Sequence, residues 1–124
     1  MVVKSTELCW LVVANLQKAI EFYTKTLGLK LLSKVEEHGW AELQGKDGGI
    51  VIGLCQVSDH APDLKPGFNA VMTFNVDDMD AAKKELAAKG LRMVGPVIEV
   101  EGHVKMQDCF DVDNNRFQIV QTLS

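Results

Sequence analysis

One grammatical unit, written twice, constrains this chain more than any other feature. The run Leu8-Cys9-Trp10-Leu11-Val12-Val13-Ala14-Asn15-Leu16 leads into Lys18-Ala19-Ile20-Glu21-Phe22-Tyr23 and Leu27-Gly28-Leu29. It reads as strand, tight turn, helix and glycine stop. Roughly 63 residues later the order returns as Val71-Met72-Thr73-Phe74-Asn75-Val76-Asp77-Asp78-Met79, then Ala82, Leu86 and Lys89-Gly90-Leu91. A period of about 60 is too long for a solenoid, so the chain is read as a duplicated half-domain.

Local chemistry fills in each half. Asn15 suits a helix N-cap, because its side-chain oxygen can accept from a first-turn amide. Ala19, Ile20, Phe22, Tyr23 and Leu27 form a helical stripe, and Gly28 supplies a left-handed stop. Leu8 to Ala14 is a near-continuous apolar run, as expected of a strand covered on both faces. Leu29–Glu36, Trp40–Gln44 and Ile50–Gln56 read as strands, separated by turns at His38-Gly39 and Lys46-Asp47-Gly48-Gly49. The second half repeats this. Asp77 or Asp78 caps its helix and Gly90 stops it, and strands are expected at Arg92–Glu101, Val104–Phe110 and Arg116–Thr122. Residues 58–67 contain Pro62 and Pro66 and read as a linker between module 1 (about 5–57) and module 2 (about 68–124). The expectation is one 124-residue domain of the α+β class, built from two tandem βαβββ modules.

Composition narrows the function classes. The net charge is −4 and no stripe of Lys or Arg is present, which argues against nucleic acid as a partner. The apolar run at Leu8–Ala14 is far too short to span a bilayer, and the first seven residues lack a signal-peptide pattern. No membrane partner and a cytoplasmic location are therefore expected. Cys9, Cys55 and Cys109 make an odd count without CxxC spacing, consistent with reduced thiols.

Two segments carry a family resemblance. Asn15 through Leu29 follows the pattern N-L-x-K-A-I-x-F-Y-x-x-x-L-G-L. The run Asp111-Val112-Asp113-Asn114-Asn115-Arg116-Phe117-Gln118 is similar to a D-P-D-G-N-x-x-E turn and strand, with Val112, Asn114 and Gln118 replacing proline, glycine and glutamate. Together they resemble the vicinal oxygen chelate superfamily of glyoxalases, bleomycin-resistance proteins and extradiol dioxygenases. That resemblance implies two modules curving mixed sheets into a cup, with helices on the outer face. It also implies a homodimer, with the cup formed within one chain or across two.

The same resemblance locates a metal site and finds it stripped of donors. Metal-dependent relatives place a histidine or glutamine at the start of each module's first strand and an acid in each last strand. Carried over, those positions are Leu8, Gly53, Val71 and Gln118, of which three offer no ligand atom. His38, His60 and His103 do not replace them, since none lies at metal-motif spacing. No metal and no cofactor are expected. A site using His103 with Asp108 is conceivable.

What remains is an apolar surface. Alternation puts Leu8, Trp10 and Val12 on one face of the first strand, and Val71, Thr73 and Asn75 on the matching face of the fifth. If the turn pairs Leu43 with Ile50, Trp40 and Glu42 share a face with Gly53. A tryptophan beside a glycine makes a slot with one flat wall, suited to a planar ring. Trp10 and Trp40 could equally fill the core. Glu42 could serve acid–base work from such a slot, or could simply face water.

The expected ligand-binding residues are thus Leu8, Trp10, Trp40, Gly53, Val71, Thr73 and Gln118, with Glu42 as the catalytic candidate. The leading reading is a metal-free binder of a planar, largely apolar small molecule. The alternatives are a lyase or dioxygenase-type enzyme with an atypical metal or acid–base site, and a dimerising module with a closed cup.

Overall fold

Apolar continuity starts the first strand, β1 (Leu8–Val13), and Asn15 then ends it and opens a helix. The computed structural model describes residues 7–59, 64–67 and 71–123. His60, and the expected start of module 2 at Phe68-Asn69, lie outside the described residues. The chain divides into two compact units, Met1–Pro66 and Gly67–Ser124.

In the first unit, β1 is followed by α1 (Leu16–Glu21), which continues as a π-helical turn over Phe22–Thr26. Then come β2 (Lys30–Val35), a 3₁₀ turn over Glu36–His38, β3 (Trp40–Gly45) and β4 (Gly48–Gln56). The second unit holds β5 (Met72–Asn75), α2 (Met79–Ala88), β6 (Arg92–Val100), β7 (Val104–Phe110) and β8 (Arg116–Thr122). Each unit forms one mixed four-stranded sheet, in the order β1-β4-β3-β2 and β5-β8-β7-β6. The first strand of each runs parallel to the last, and the remaining pairs are antiparallel. This is the expected α+β arrangement of tandem βαβββ modules.

The duplication extends to the helix caps. Asn15 Oδ1 accepts from Lys18 N at 2.9 Å, and Asp78 Oδ2 accepts from Ala81 N at 3.1 Å. A second orphan amide in each helix finds a glutamine at the end of the parallel strand. Leu16 N donates to Gln56 Oε1 at 3.0 Å, and Met79 N donates to Gln121 Oε1 at 2.7 Å. Each helix start is thereby tied to β4 or β8, which orients the helix over one face of its sheet.

That covered face is the core. In the first unit Leu11, Val13, Ala41, Leu43 and Leu54 of the sheet and Ala19 and Tyr23 of the helical segment are all essentially inaccessible. In the second, Phe117, Ile119 and Cys109 are buried with Met79 of α2. Each such large apolar side chain contributes about 1.5–3 kcal/mol by leaving water.

Two expectations need correction. First, β1 is covered on both faces only over Leu11–Val13, because Trp10 is 41% exposed. Second, the β3–β4 pairing is Leu43 with Ile52, not with Ile50. The tight turn does set Gly45 opposite Gly48, but an irregularity between Leu43 and Gly45 then advances the register by two. A slip of two keeps every side chain on its original face, whereas a slip of one would have inverted the sheet.

The β7–β8 turn is held by a buried carboxylate. Asp111 Oδ1 accepts from Asp113 N and Asn115 N at 2.8 Å each, and Oδ2 accepts from Asn115 Nδ2 at 2.9 Å. Asn115 Oδ1 in turn accepts from Gly67 N at 2.7 Å. Asn114 takes the left-handed backbone, φ 64°, so it replaces glycine at this station as its chemistry allows.

Candidate functional site: the uncovered sheet faces

In the first unit, the face away from α1 gathers the residues singled out from sequence. Gly53 is the hub. It pairs with Trp10 on one side and Glu42 on the other, and Leu8 and Cys55 follow on the same face. With no side chain at Gly53, the Trp40 ring lies across its backbone: a β-carbon placed there would meet Trp40 Cζ2 at 2.6 Å and Trp10 Cβ at 2.9 Å. The two indoles stand edge to face, with ring centroids 6.1 Å apart and planes at 62°. Trp40 Nε1 donates to Glu42 Oε2 at 2.9 Å, which locks the ring over the glycine.

Trp10 is 41% exposed and Trp40 half-buried, so neither ring is fully enclosed. Glu42 is half-buried and, among the described residues, engaged on one oxygen. Cys55 is half-buried opposite Trp40, its thiol 3.7 Å from the Gln56 carbonyl.

The second unit presents a different surface at corresponding stations. Val71, immediately before β5, is exposed, as are Thr73 and Asn75. Thr73 pairs with Gln118, and Gln118 with Asp108. The Asp108 carboxylate accepts from Gln118 Nε2 at 3.0 Å and from Arg116 Nη2 at 2.7 Å. One row further, Arg92 lies 4.4 Å from the Phe110 ring centroid and donates to Asn114 Oδ1 at 2.8 Å. Sequence reading missed this network around Asp108, because it depends on β7 and β8 lying in register. The signal available was Asp108 itself, which occupies in β7 the station that Glu42 occupies in β3.

The donor set does not fit a divalent cation. Leu8, Gly53 and Val71 carry no ligand atoms, and the Gln118 amide is turned onto Asp108. Among the described residues, no group of three or more His, Cys, Asp or Glu side chains could hold a metal ion. His103 does not join Asp108. The two are five strand residues apart, about 16 Å, and both Asp108 oxygens are engaged. An open hollow beside α2 is lined by Asp78, Asp80, Ala81, Lys83, Lys84, Ala87 and Met93. It is the solvated flank of the helix, where charges of both signs surround Ala81, Ala87 and Met93.

The repeated sheet, the capped helix in each half and the Asp111 turn define a tandem βαβββ protein of the vicinal oxygen chelate type. A family model for the Glyoxalase/Bleomycin resistance protein/Dioxygenase superfamily matches residues 5–119, and the chain belongs to that superfamily. Among solved structures, it is similar to TnmS3, an antibiotic binding protein from Streptomyces sp. CB03234. The identity is 27%, the TM-score 0.79, and 98% of each chain is covered. A superfamily member from Sphaerobacter thermophilus shares 20% identity over 98% of this chain and 99% of its own, with a TM-score of 0.85. A virulence protein from Salmonella typhimurium shares 21% over 98% and 99%, with a TM-score of 0.76. No curated protein matches in sequence. Among the described residues, no helix is long and apolar enough to cross a membrane.

Proposed function

We propose that this protein is a metal-free binder of a planar, largely apolar small molecule, taken up on the Gly53 face of the first unit. The observation that carries the reading is the pair of tryptophans. One is 41% exposed, and the other is held flat across a glycine by a carboxylate. An exposed indole beside an ordered one costs the folded protein apolar hydration, which a stacked ring would relieve. The likeness to TnmS3, described as antibiotic binding, supports a small-molecule ligand. Leu8 and Cys55 flank the same face. Val71, Thr73 and Gln118 are the candidate binding residues of the second unit, taken by itself.

We further propose a cytoplasmic homodimer. Free Cys9, Cys55 and Cys109 suit a reducing compartment. Each sheet also leaves two edge strands that a second copy can cover. Light scattering at tens of micromolar checks the dimer; a mass near 13.7 kDa would refute it.

The binding test is titration with a neutral planar probe, acridone, followed by tryptophan emission. Saturable quenching, lost in Trp10→Ala, is expected. No saturable change would refute the reading.

A further inference from the structure

We propose that the ligand of this face carries a cationic nitrogen at the edge of its planar ring, and that Glu42 is the residue that selects it. The proposal rests on the binding reading above and specifies the chemical class of ligand.

The argument is one of unmet demand. Glu42 Oε2 accepts the Trp40 indole N–H at 2.9 Å. Among the described residues, no donor reaches Oε1. Nor, among the described residues, does a cation pair with this carboxylate, where the ion pairs are Lys34 with Glu36 and Arg116 with Asp108. Lys34, on the neighbouring strand, also donates to Gln17 at 2.8 Å and is thereby held toward α1. Lys30 stands opposite Gln44, further along the strand pair from Ser33 and Glu42, and is exposed. Across β4, Glu42 faces Gly53, which contributes no side chain. The carboxylate is thus half-buried, bonded to one of the two indoles, and has no fixed counter-ion among the described residues.

A flat apolar ligand settling on Trp10 and Trp40 would strip water from Oε1 and give nothing back. Desolvating a charged oxygen without a partner opposes binding. A ring bearing an ammonium, amidinium or ring-protonated nitrogen reverses that balance. It supplies Oε1 with a charge-assisted donor and gains cation–π attraction from the indoles. The bond to Trp40 fixes the carboxylate in advance, so little ordering is required when the ligand arrives.

The experiment compares two three-ring probes of similar outline, proflavine (cationic at neutral pH) and acridone (neutral), by equilibrium dialysis. Both are tested against the wild type and Glu42→Gln, which keeps an acceptor for the indole and removes the charge. The expected result is that the wild type prefers proflavine by about tenfold, the scale of one cation–π contact with one partly screened ion pair. Added salt should narrow the preference, and Glu42→Gln should abolish it, weakening proflavine and, with no charge left to desolvate, tightening acridone. Saturable acridone binding by the variant also shows that it is folded. Equal affinity of the wild type for both probes would overturn the cation proposal and leave the planar-ligand reading standing. A proflavine preference that survives Glu42→Gln would overturn the assignment to Glu42. Failure of both probes to bind the wild type would remove the binding reading itself.

Discussion

The Trp40 indole occupies the volume that a side chain at residue 53 would need. A β-carbon on Gly53 would lie 2.6 Å from Cζ2 of that ring and 2.9 Å from Trp10 Cβ. The ring could swing away; Trp10 Cβ is fixed to the backbone and could not. Gly53→Ala is therefore expected to displace Trp40 and cost about 1–3 kcal/mol of stability, as overpacking does. Tryptophan near-ultraviolet dichroism and a denaturant melt report both effects. An unchanged spectrum and midpoint would refute the close approach.

Trp10 and Trp40 should separate in their mutational signatures. Trp10 is 41% exposed, so Trp10→Ala should cost under about 1 kcal/mol of stability. It should still weaken acridone binding by about 1–3 kcal/mol, the scale of a lost aromatic anchor. Trp40→Ala removes a half-buried ring and its bond to Glu42, and should lose about 2 kcal/mol of stability as well as binding. Paired melts and titrations check this; a large stability loss at Trp10 would return that residue to the core.

Asp111 is 6% exposed and accepts three hydrogen bonds inside the β7–β8 turn. Asp111→Ala would strand two backbone amides and the Asn115 side chain, at a cost of about 3 kcal/mol. Amide exchange should accelerate first in β7 and β8. Wild-type exchange in those strands would show that the turn is held by other means.

Burial, with the nearby Asp108 charge adding to it, pushes the Cys109 thiol from 9.0 up to about 11. The unfolded chain releases this proton near pH 9 while the folded chain keeps it. Stability from this group is full below pH 9 and falls as pH rises toward 11, by about 2–3 kcal/mol. Melts of wild type and Cys109→Ala across that window should differ in slope. At pH 8 a thiol reagent should label half-buried Cys9 and Cys55 but reach Cys109 only after unfolding. Rapid labelling of all three would contradict the buried placement.

Exposure to Zn, Ni, Mn or Fe followed by gel filtration should leave substoichiometric metal, because Leu8, Gly53 and Val71 supply no donor atoms. Near-equimolar retention would refute the metal-free reading and favour the enzyme alternative.

Much of the fold was legible in the chain because local signals agreed with one another. Asn15 and Asp78 cap the helices, glycines stand at Gly28 and Gly90 with positive φ, and the strands fall within a residue or two of their expected bounds. These are short-range preferences, and the duplication tests each of them twice. On α2 the i,i+4 spacings of Asp80 with Lys84 and Glu85 with Lys89 suit ion pairs, yet neither closes among the described residues. Exposed side chains of that kind gain too little to hold one geometry.

The sequence by itself determined that three family ligand positions lack donors, that the modules repeat, and that Trp10, Trp40, Gly53 and Glu42 alternate onto compatible faces. Tertiary structure decided the rest. The bulge between Leu43 and Gly45 chose Glu42, rather than Trp40, as the direct partner of Gly53. The Asp108–Gln118–Arg116 network likewise depends on β7 and β8 lying side by side in that register, whereas the Trp40–Glu42 bond lies within one strand and depends on the ring settling over Gly53. Side-chain direction along a strand follows from the two-residue pleat and is written in the chain. Contact across strands depends on register and bulges, which no single segment encodes.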